Sequence, residues 1–185
     1  MLNFIAAIGS AAAGGATAFE SIATVTLAVD TATVSFTSIP STYQHLQLRL
    51  IGRGNRAATV STLRATVNSD TGTNYAQHNL IGDGATATVG GAASGSNFDI
   101  AKVSGATATA SVFGVAIVDF HDYASTTKNK TIRTMAGVDL NGSGEIQLRS
   151  ALWINTSAIN RIDIVNQTSN IIAGSTFALY GIKGA

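Results

Sequence analysis

From Phe19 onward, apolar and polar residues alternate with a period of two. Phe19, Ala23, Val25, Leu27 and Val29 share one phase with Ser21, and beyond Asp30-Thr31 the pair Val34 and Phe36 alternates with Thr33, Ser35 and Thr37. This reads as a hairpin closed by Ser38-Ile39-Pro40-Ser41, because proline cannot donate to a strand ladder and restricts the residue before it. Leu46, Leu48 and Leu50 alternate with Gln47 and Arg49, and Leu63, Ala65 and Val67 with Arg64 and Thr66. Further strands are predicted over 98–103, 111–120, 131–138, 145–153, 161–165 and 175–182. No long segment holds a 3.6-residue period, although 41–45 suits a short helical turn. Asn68 to Asn74 and Asp139 to Gly144 are dense in residues that tolerate positive φ, and predict turns. The Gly, Ala and Thr stretch from Gly82 to Ser96 predicts an exposed loop or a strand on a flat face. The pattern as a whole predicts an all-β chain: an antiparallel β-sandwich of about eight to ten strands in two sheets.

Composition changes this picture at one end. The first fifteen residues, Met1 to Gly15, form a nearly continuous apolar and glycine run without a charged side chain. A secretory signal needs a basic segment ahead of its apolar stretch, and a membrane-spanning helix needs about 20 apolar residues; the run has neither. Residues 1–18 therefore read as an extended apolar docking arm, with Leu2, Phe4, Ile5 and Ile8 as expected contacts to another subunit. Residues 19–185 read as a single β-sandwich domain. Only 11% of the 185 residues are charged, against roughly 25% in an ordinary globular domain. The resulting surface is easily desolvated. A net charge of +1 gives no general attraction for phosphate backbones, so no nucleic-acid partner is expected. The chain lacks cysteine, which excludes disulfides and thiolate metal sites.

Candidate chemistry is sparse. In an extended Asp119-Phe120-His121-Asp122-Tyr123, Asp119 and His121 share a face, where an acid could orient an imidazole. No Gly-x-Ser-x-Gly or His-Glu-x-x-His accompanies them, and the segment reads more simply as a strand entering a polar turn. Asp139-x-Asn141-x-Ser143-Gly144 resembles the start of a calcium loop, yet its twelfth position, Ser150, cannot supply the closing bidentate carboxylate. Arg49, Arg53, Arg56 and Arg64 fall on neighbouring strands as edge charges or, less simply, an anion patch. Trp153, Tyr43, Tyr75, Tyr123 and Tyr180 raise sugar stacking, against which Trp153 reads as a core-rim residue. No catalytic residue, cofactor or metal ligand is expected.

Three stretches carry a resemblance: Phe36-Thr37-Ser38-Ile39-Pro40-Ser41-Thr42-Tyr43-Gln44-His45-Leu46-Gln47-Leu48-Arg49, then Val67-Asn68-Ser69-Asp70-Thr71-Gly72-Thr73-Asn74-Tyr75, and finally Ser175-Thr176-Phe177-Ala178-Leu179-Tyr180-Gly181-Ile182-Lys183. Together they resemble small β-rich structural proteins of tailed bacteriophages and environmental viral genomes. The resemblance spans the chain from Phe19 onward and matches the arm least. It implies a jelly-roll-like sandwich located in the virion, with other virion proteins as partners in capsid or tail, and it brings no catalytic residues. The expected role is a capsid decoration or cement protein or a peripheral fibre component, self-associating around a cyclic axis, by analogy as a trimer. The alternative is a tail-fibre or receptor-binding domain recognising host surface glycans through loops such as Gly82 to Ser96. Membrane insertion is not expected.

Overall fold

Alternating segments become strands that bury one phase, and two less patterned segments join them at one edge of the larger sheet. In the computed structural model, which describes residues 18–184, twelve strands and no helix form among those residues. The first six strands are β1 (Phe19–Thr26), β2 (Thr33–Phe36), β3 (His45–Gly52), β4 (Val60–Val67), β5 (Tyr75–Gly82) and β6 (Ala87–Gly95). The remainder are β7 (Phe98–Ser104), β8 (Gly114–Phe120), β9 (Lys130–Asp139), β10 (Gly144–Trp153), β11 (Ile162–Asn166) and β12 (Thr176–Ile182). In β3 the cause is plain: Leu46, Leu48 and Leu50 are buried, while Arg49 and Ile51 are exposed on the opposite face.

The strands form two antiparallel sheets. The larger has the order β1-β12-β3-β8-β9-β10-β5-β6 and the smaller β2-β11-β4-β7. With β5, β6, β9 and β10 set aside, eight strands remain, and their pairing is nested. β1 pairs with β12, β2 with β11, β3 with β8, and β4 with β7, so first meets last and the order closes inward. A folded ribbon shared between two sheets in this way is a jelly roll. The two inserted pairs, β5–β6 and β9–β10, extend the larger sheet beyond β8.

The hairpin expected between Phe19 and Phe36 does not form. β1 and β2 lie in different sheets. Residues 27–31 run alongside 171–175 through Leu27 N–H to Ser175 O (2.9 Å), Gly174 N–H to Leu27 O (2.8 Å) and the reciprocal Thr31 and Ile171 bonds (2.8 and 2.9 Å). Two antiparallel segments thus turn the corner between sheets together, and each satisfies the other's backbone. A local hairpin would have left 171–175 unpaired at that corner.

Two other expectations need correction. The strand count exceeds eight to ten because β5 shows no clear alternation and β6 is exposed along nearly its whole length. Of the two readings of Gly82 to Ser96, the exposed strand is the one that forms, after a turn at Asp83, whose carboxylate accepts the N–H groups of Ala85 (2.9 Å) and Thr86 (2.7 Å). Residues 41–45 form bends leading into β3, without a helical turn. The two predicted turns do form, with Asn68 and Ser69 at φ 52° and 56° and Asn141 at φ 60°. The arm residues Leu2, Phe4, Ile5 and Ile8 lie outside the described residues.

Between the sheets lies one hydrophobic core that includes Leu46, Leu48, Leu63, Val67, Phe98, Val118, Phe120, Ile132, Trp153, Ile164 and Phe177. Full burial of each large side chain contributes about 1.5–3 kcal/mol. Trp153 lies deep in this core, and its indole N–H donates to Asp70 Oδ2 at 2.7 Å.

Candidate functional site

The outward face of the larger sheet carries Asp119, Arg49 and the side chains beside them in its cross-strand rows. Its cross-strand rows change character in steps from one end to the other. At one end His45 of β3 and His121, just beyond β8, meet edge to face with ring centroids 5.3 Å apart. The Asp122 N–H donates to His45 Nδ1 at 3.0 Å, and the Asp122 carboxylate takes Lys128 Nζ at 2.6 Å. Asp119 is engaged elsewhere. It accepts Gln47 Nε2 at 2.8 Å and Arg133 Nη2 at 2.9 Å, making with them a polar row across β3, β8 and β9. Burial pushes the Asp119 carboxyl up, but the Gln47 amide and the Arg133 guanidinium bring it below the usual carboxylate range. An acid held this way is a cross-strand ion-pair partner, and it makes no hydrogen bond that would orient His121. His45, which the sequence did not single out, is the ring packed against that imidazole. Among the described residues no group of three or more His, Asp or Glu could hold a metal ion.

The four arginines are dispersed. Arg53 is buried and donates to the carbonyls of Thr109 (2.7 Å), Val112 (2.9 Å) and Ala108 (3.0 Å), tying down the loop before β8. Arg64 pairs with Asp99 at 2.9 Å, while Arg49 lies on the outward face, its guanidinium 5.2 Å from the Phe19 ring centre and 5.6 Å from that of Tyr180. Arg56 is exposed in the loop between β3 and β4, and the four form no common anion patch. The Asp139–Gly144 segment is the β9–β10 hairpin turn, with Asp139 Oδ1 accepting the Asn141 N–H at 2.9 Å.

Beyond the polar row the face turns apolar. From Arg49 one row runs through Ile117, Met135, Leu148, Leu80 and Val89; the next contains Ile51, Val115, Gly137, Ile146 and Gly82. Ile146 is 75%, Val89 82% and Met135 60% exposed, and Ile51, Val115, Leu80 and Leu148 are close to half exposed. Large apolar patches on a protein surface mark sites of contact with other molecules. Toward β12 the band dips into a groove of about 640 Å³, lined by Ile51, Val115, Ile117, Met135, Gly137 and Ala178, with Arg49 its only charged wall. Gly137 opens the floor: a Cβ there would meet only the Glu145 carbonyl oxygen, at 3.8 Å.

The band was missed in the sequence because β10 inverts its pattern. Ile146 and Leu148 face out, whereas Gln147 and Arg149 are buried between the sheets. There Gln147 Oε1 accepts the Lys102 N–H (2.9 Å) and its Nε2 donates to the Lys102 carbonyl (3.3 Å), while Gln77 Oε1 accepts the Asp99 N–H (2.7 Å). Side chains of the larger sheet thus cap the free edge of β7. The available signal was two apolar phases in one strand, as in Val115-Ala116-Ile117-Val118.

No protein-family model, curated protein or solved structure matches the chain.

Proposed function

We propose that this chain is a structural component of a bacteriophage particle, a capsid decoration or cement protein or a peripheral fibre subunit, that acts by protein–protein contact. The observation that carries the assembly role is the apolar band of the outward face: seven large apolar side chains stand exposed on it in adjacent rows. Full burial of each contributes about 1.5–3 kcal/mol before the cost of association is subtracted. Repeated copies on a particle would add modest single contacts into tight attachment. The virion setting rests on the resemblance of the three stretches quoted above. The reading is non-enzymatic, with Asp119 and His121 as structural groups, and it includes self-association around a cyclic axis, a trimer by analogy with fibre and decoration architectures.

Glycan recognition would call for aromatic faces near exposed loops. Trp153, Tyr75 and Tyr123 are buried, the half-buried Tyr43 and Tyr180 are engaged by Glu20 and by Phe19 and Arg49 respectively, and Gly82 to Ser96 contains no aromatic residue.

The test is to purify particles of the virus encoding the chain, identify their proteins by mass spectrometry and image them at a resolution that resolves the sandwich. The chain should be present in many copies with its outward face against a neighbour. Particles without it, or copies attached with that face toward solvent, would overturn the reading.

A further inference from the structure

We infer that β6 pairs with β6 of a second copy of this chain, antiparallel about a two-fold axis at Val89, so that the two larger sheets continue as one. The inference names the surface for the self-association proposed above and rests on that reading to this extent; it makes no use of attachment to a particle.

Strand edges are the first argument. An unpaired edge is a template for other chains, and folded proteins blunt it with short strands, bulges, charges or a cover. Among the described residues the two sheets end in four edge strands, and three of them are blunted in this way. β2 has only four residues, β1 is interrupted by a bulge between Ser21 and Ala23 and carries Glu20, and the edge of β7 is capped by Gln77 and Gln147. β6 is different. It holds register with β5 from Ala87 to Ala92 without interruption, its irregularity falls beyond Ala92, and residues 84–98 contain no charged side chain and no proline.

Direction is the second. The Asp83 N–H donates to the Thr86 carbonyl at 3.1 Å and the Ile154 N–H to the Asn74 carbonyl at 2.8 Å, which fixes the phase of the bonds on both sides of β5. By the alternation of an antiparallel ladder, Thr88, Gly90 and Ala92 bond to β5, while Ala87, Val89 and Gly91 turn their N–H and C=O groups to the open edge. A two-fold axis at Val89 sets Val89 against its counterpart and Ala87 against Gly91, which makes about six hydrogen bonds and opposes no like charges. Only small side chains and one valine pair have to fit.

The third argument chooses the partner. Pairing β6 with β1 of another copy would meet the bulge and Glu20 and would repeat head to tail, whereas β6 against itself is an isologous contact that closes. Its axis is perpendicular to the sheet, so both outward faces point the same way. The apolar row Met135, Leu148, Leu80 and Val89 then runs unbroken from one copy into the other. A three-fold contact, where copies make one, uses another surface. Packing of pairs through the band is a further step, on which Ile146→Glu with Leu148→Glu acts.

The test uses the full chain in solution, so its result does not depend on whether particles contain the chain. Sedimentation velocity over a concentration series should show pairs that dissociate on dilution. Hydrogen exchange followed by nuclear magnetic resonance should show the Val89 and Gly91 amides protected in the pair and released on dilution, with Thr88 and Gly90 protected throughout by β5. Val89→Pro removes an N–H that makes no bond within the subunit, so it should leave the circular dichroism spectrum unchanged and the protein unpaired. Val89→Lys covers the case in which proline disturbs the strand. It keeps the backbone and sets two ammonium groups opposite each other, and should weaken pairing several-fold, more so at low salt. A parent that stays monomeric, or freely exchanging Val89 and Gly91 amides in the pair, would overturn the inference. So would pairs that persist with both Val89 variants and dissolve with Ile146→Glu and Leu148→Glu, a result that moves the contact to the band and leaves the band's role in assembly standing. Protection of those two amides on particles alone would give the edge to a different protein and overturn self-pairing.

Discussion

At the scale of single residues, the polar groups that matter most to stability are buried ones with complete sets of partners. Lys130 is fully buried, yet its ammonium donates to the carbonyls of Ser125 (2.7 Å), Lys128 (2.6 Å) and Thr156 (3.0 Å). Lys130→Met keeps the stem and leaves three acceptors without their donor, so it should destabilise the fold by about 1–3 kcal/mol, read as a lower urea midpoint. Asp70 sets an acid limit. The Trp153 indole N–H above all, with the Asn74 amide and the Gly72 N–H, holds its carboxyl below the usual range. A lowered carboxyl contributes stability that is fully present above its unfolded value of about 3.9 and is lost as pH falls through the folded value. Trp153 is the only tryptophan, so its fluorescence reports this site. Asp70→Asn should lower stability at neutral pH and flatten the loss on acidification; an unaltered acid limb would assign that limb to other carboxylates. His121→Gln should change stability by less than about 1 kcal/mol, as expected where a partly exposed ring makes an edge contact.

At the scale of elements, the free edge of β7 is where sequence and structure diverge most usefully. An exposed strand edge invites pairing with other chains, and here the Gln147 and Gln77 side chains complete it from the opposite sheet. Gln147→Leu should leave the Lys102 N–H and carbonyl unpaired in the interior, at a cost of about 1–3 kcal/mol, and speed hydrogen exchange at the Lys102 amide in particular. Exchange no faster than in the parent would show that another group replaces the glutamine. The same strand explains what could be read in advance. β3 up to Leu50 and β4 from Leu63 were legible because one phase is apolar and the other polar, so the buried face followed from residue type. In β10 the apolar residues Ile146 and Leu148 face out and the polar ones face in, and a period of two gives spacing without direction. β5 and β6 were obscured for the opposite reason. β6 is exposed along nearly its whole length, and β5 meets the smaller sheet at its start, through Tyr75 and Gln77, so little alternation had to be maintained. The corner at 27–31 depended on residues 171–175, nearly the whole chain away, which no local pattern encodes.

At the scale of the whole molecule, the jelly roll gives the inserted strands a platform. β9, β10, β5 and β6 widen one sheet until its outward face carries more apolar surface than the domain itself covers. If that surface serves association, charge placed on its exposed apolar rows should weaken association while leaving the fold intact. Ile146 and Leu148 suit the test because they are 75% and 51% exposed and occupy adjacent cross-strand rows. Substitution of so exposed a side chain usually changes folding stability by no more than about 0.5 kcal/mol. Within a contact, each loses about 1.5–3 kcal/mol of burial, and the introduced carboxylate adds a desolvation penalty. Ile146→Glu with Leu148→Glu should therefore weaken association by at least about a hundredfold, since each 1.4 kcal/mol is a factor of ten. Sedimentation velocity measures the self-association, and rebinding to particles stripped of the chain measures attachment. Thr33→Glu in β2, exposed on the far side of the smaller sheet, is the control that should leave both unchanged. Association that survives the double substitution but falls with Thr33→Glu would move the interface to the smaller sheet and remove the band from any role in assembly.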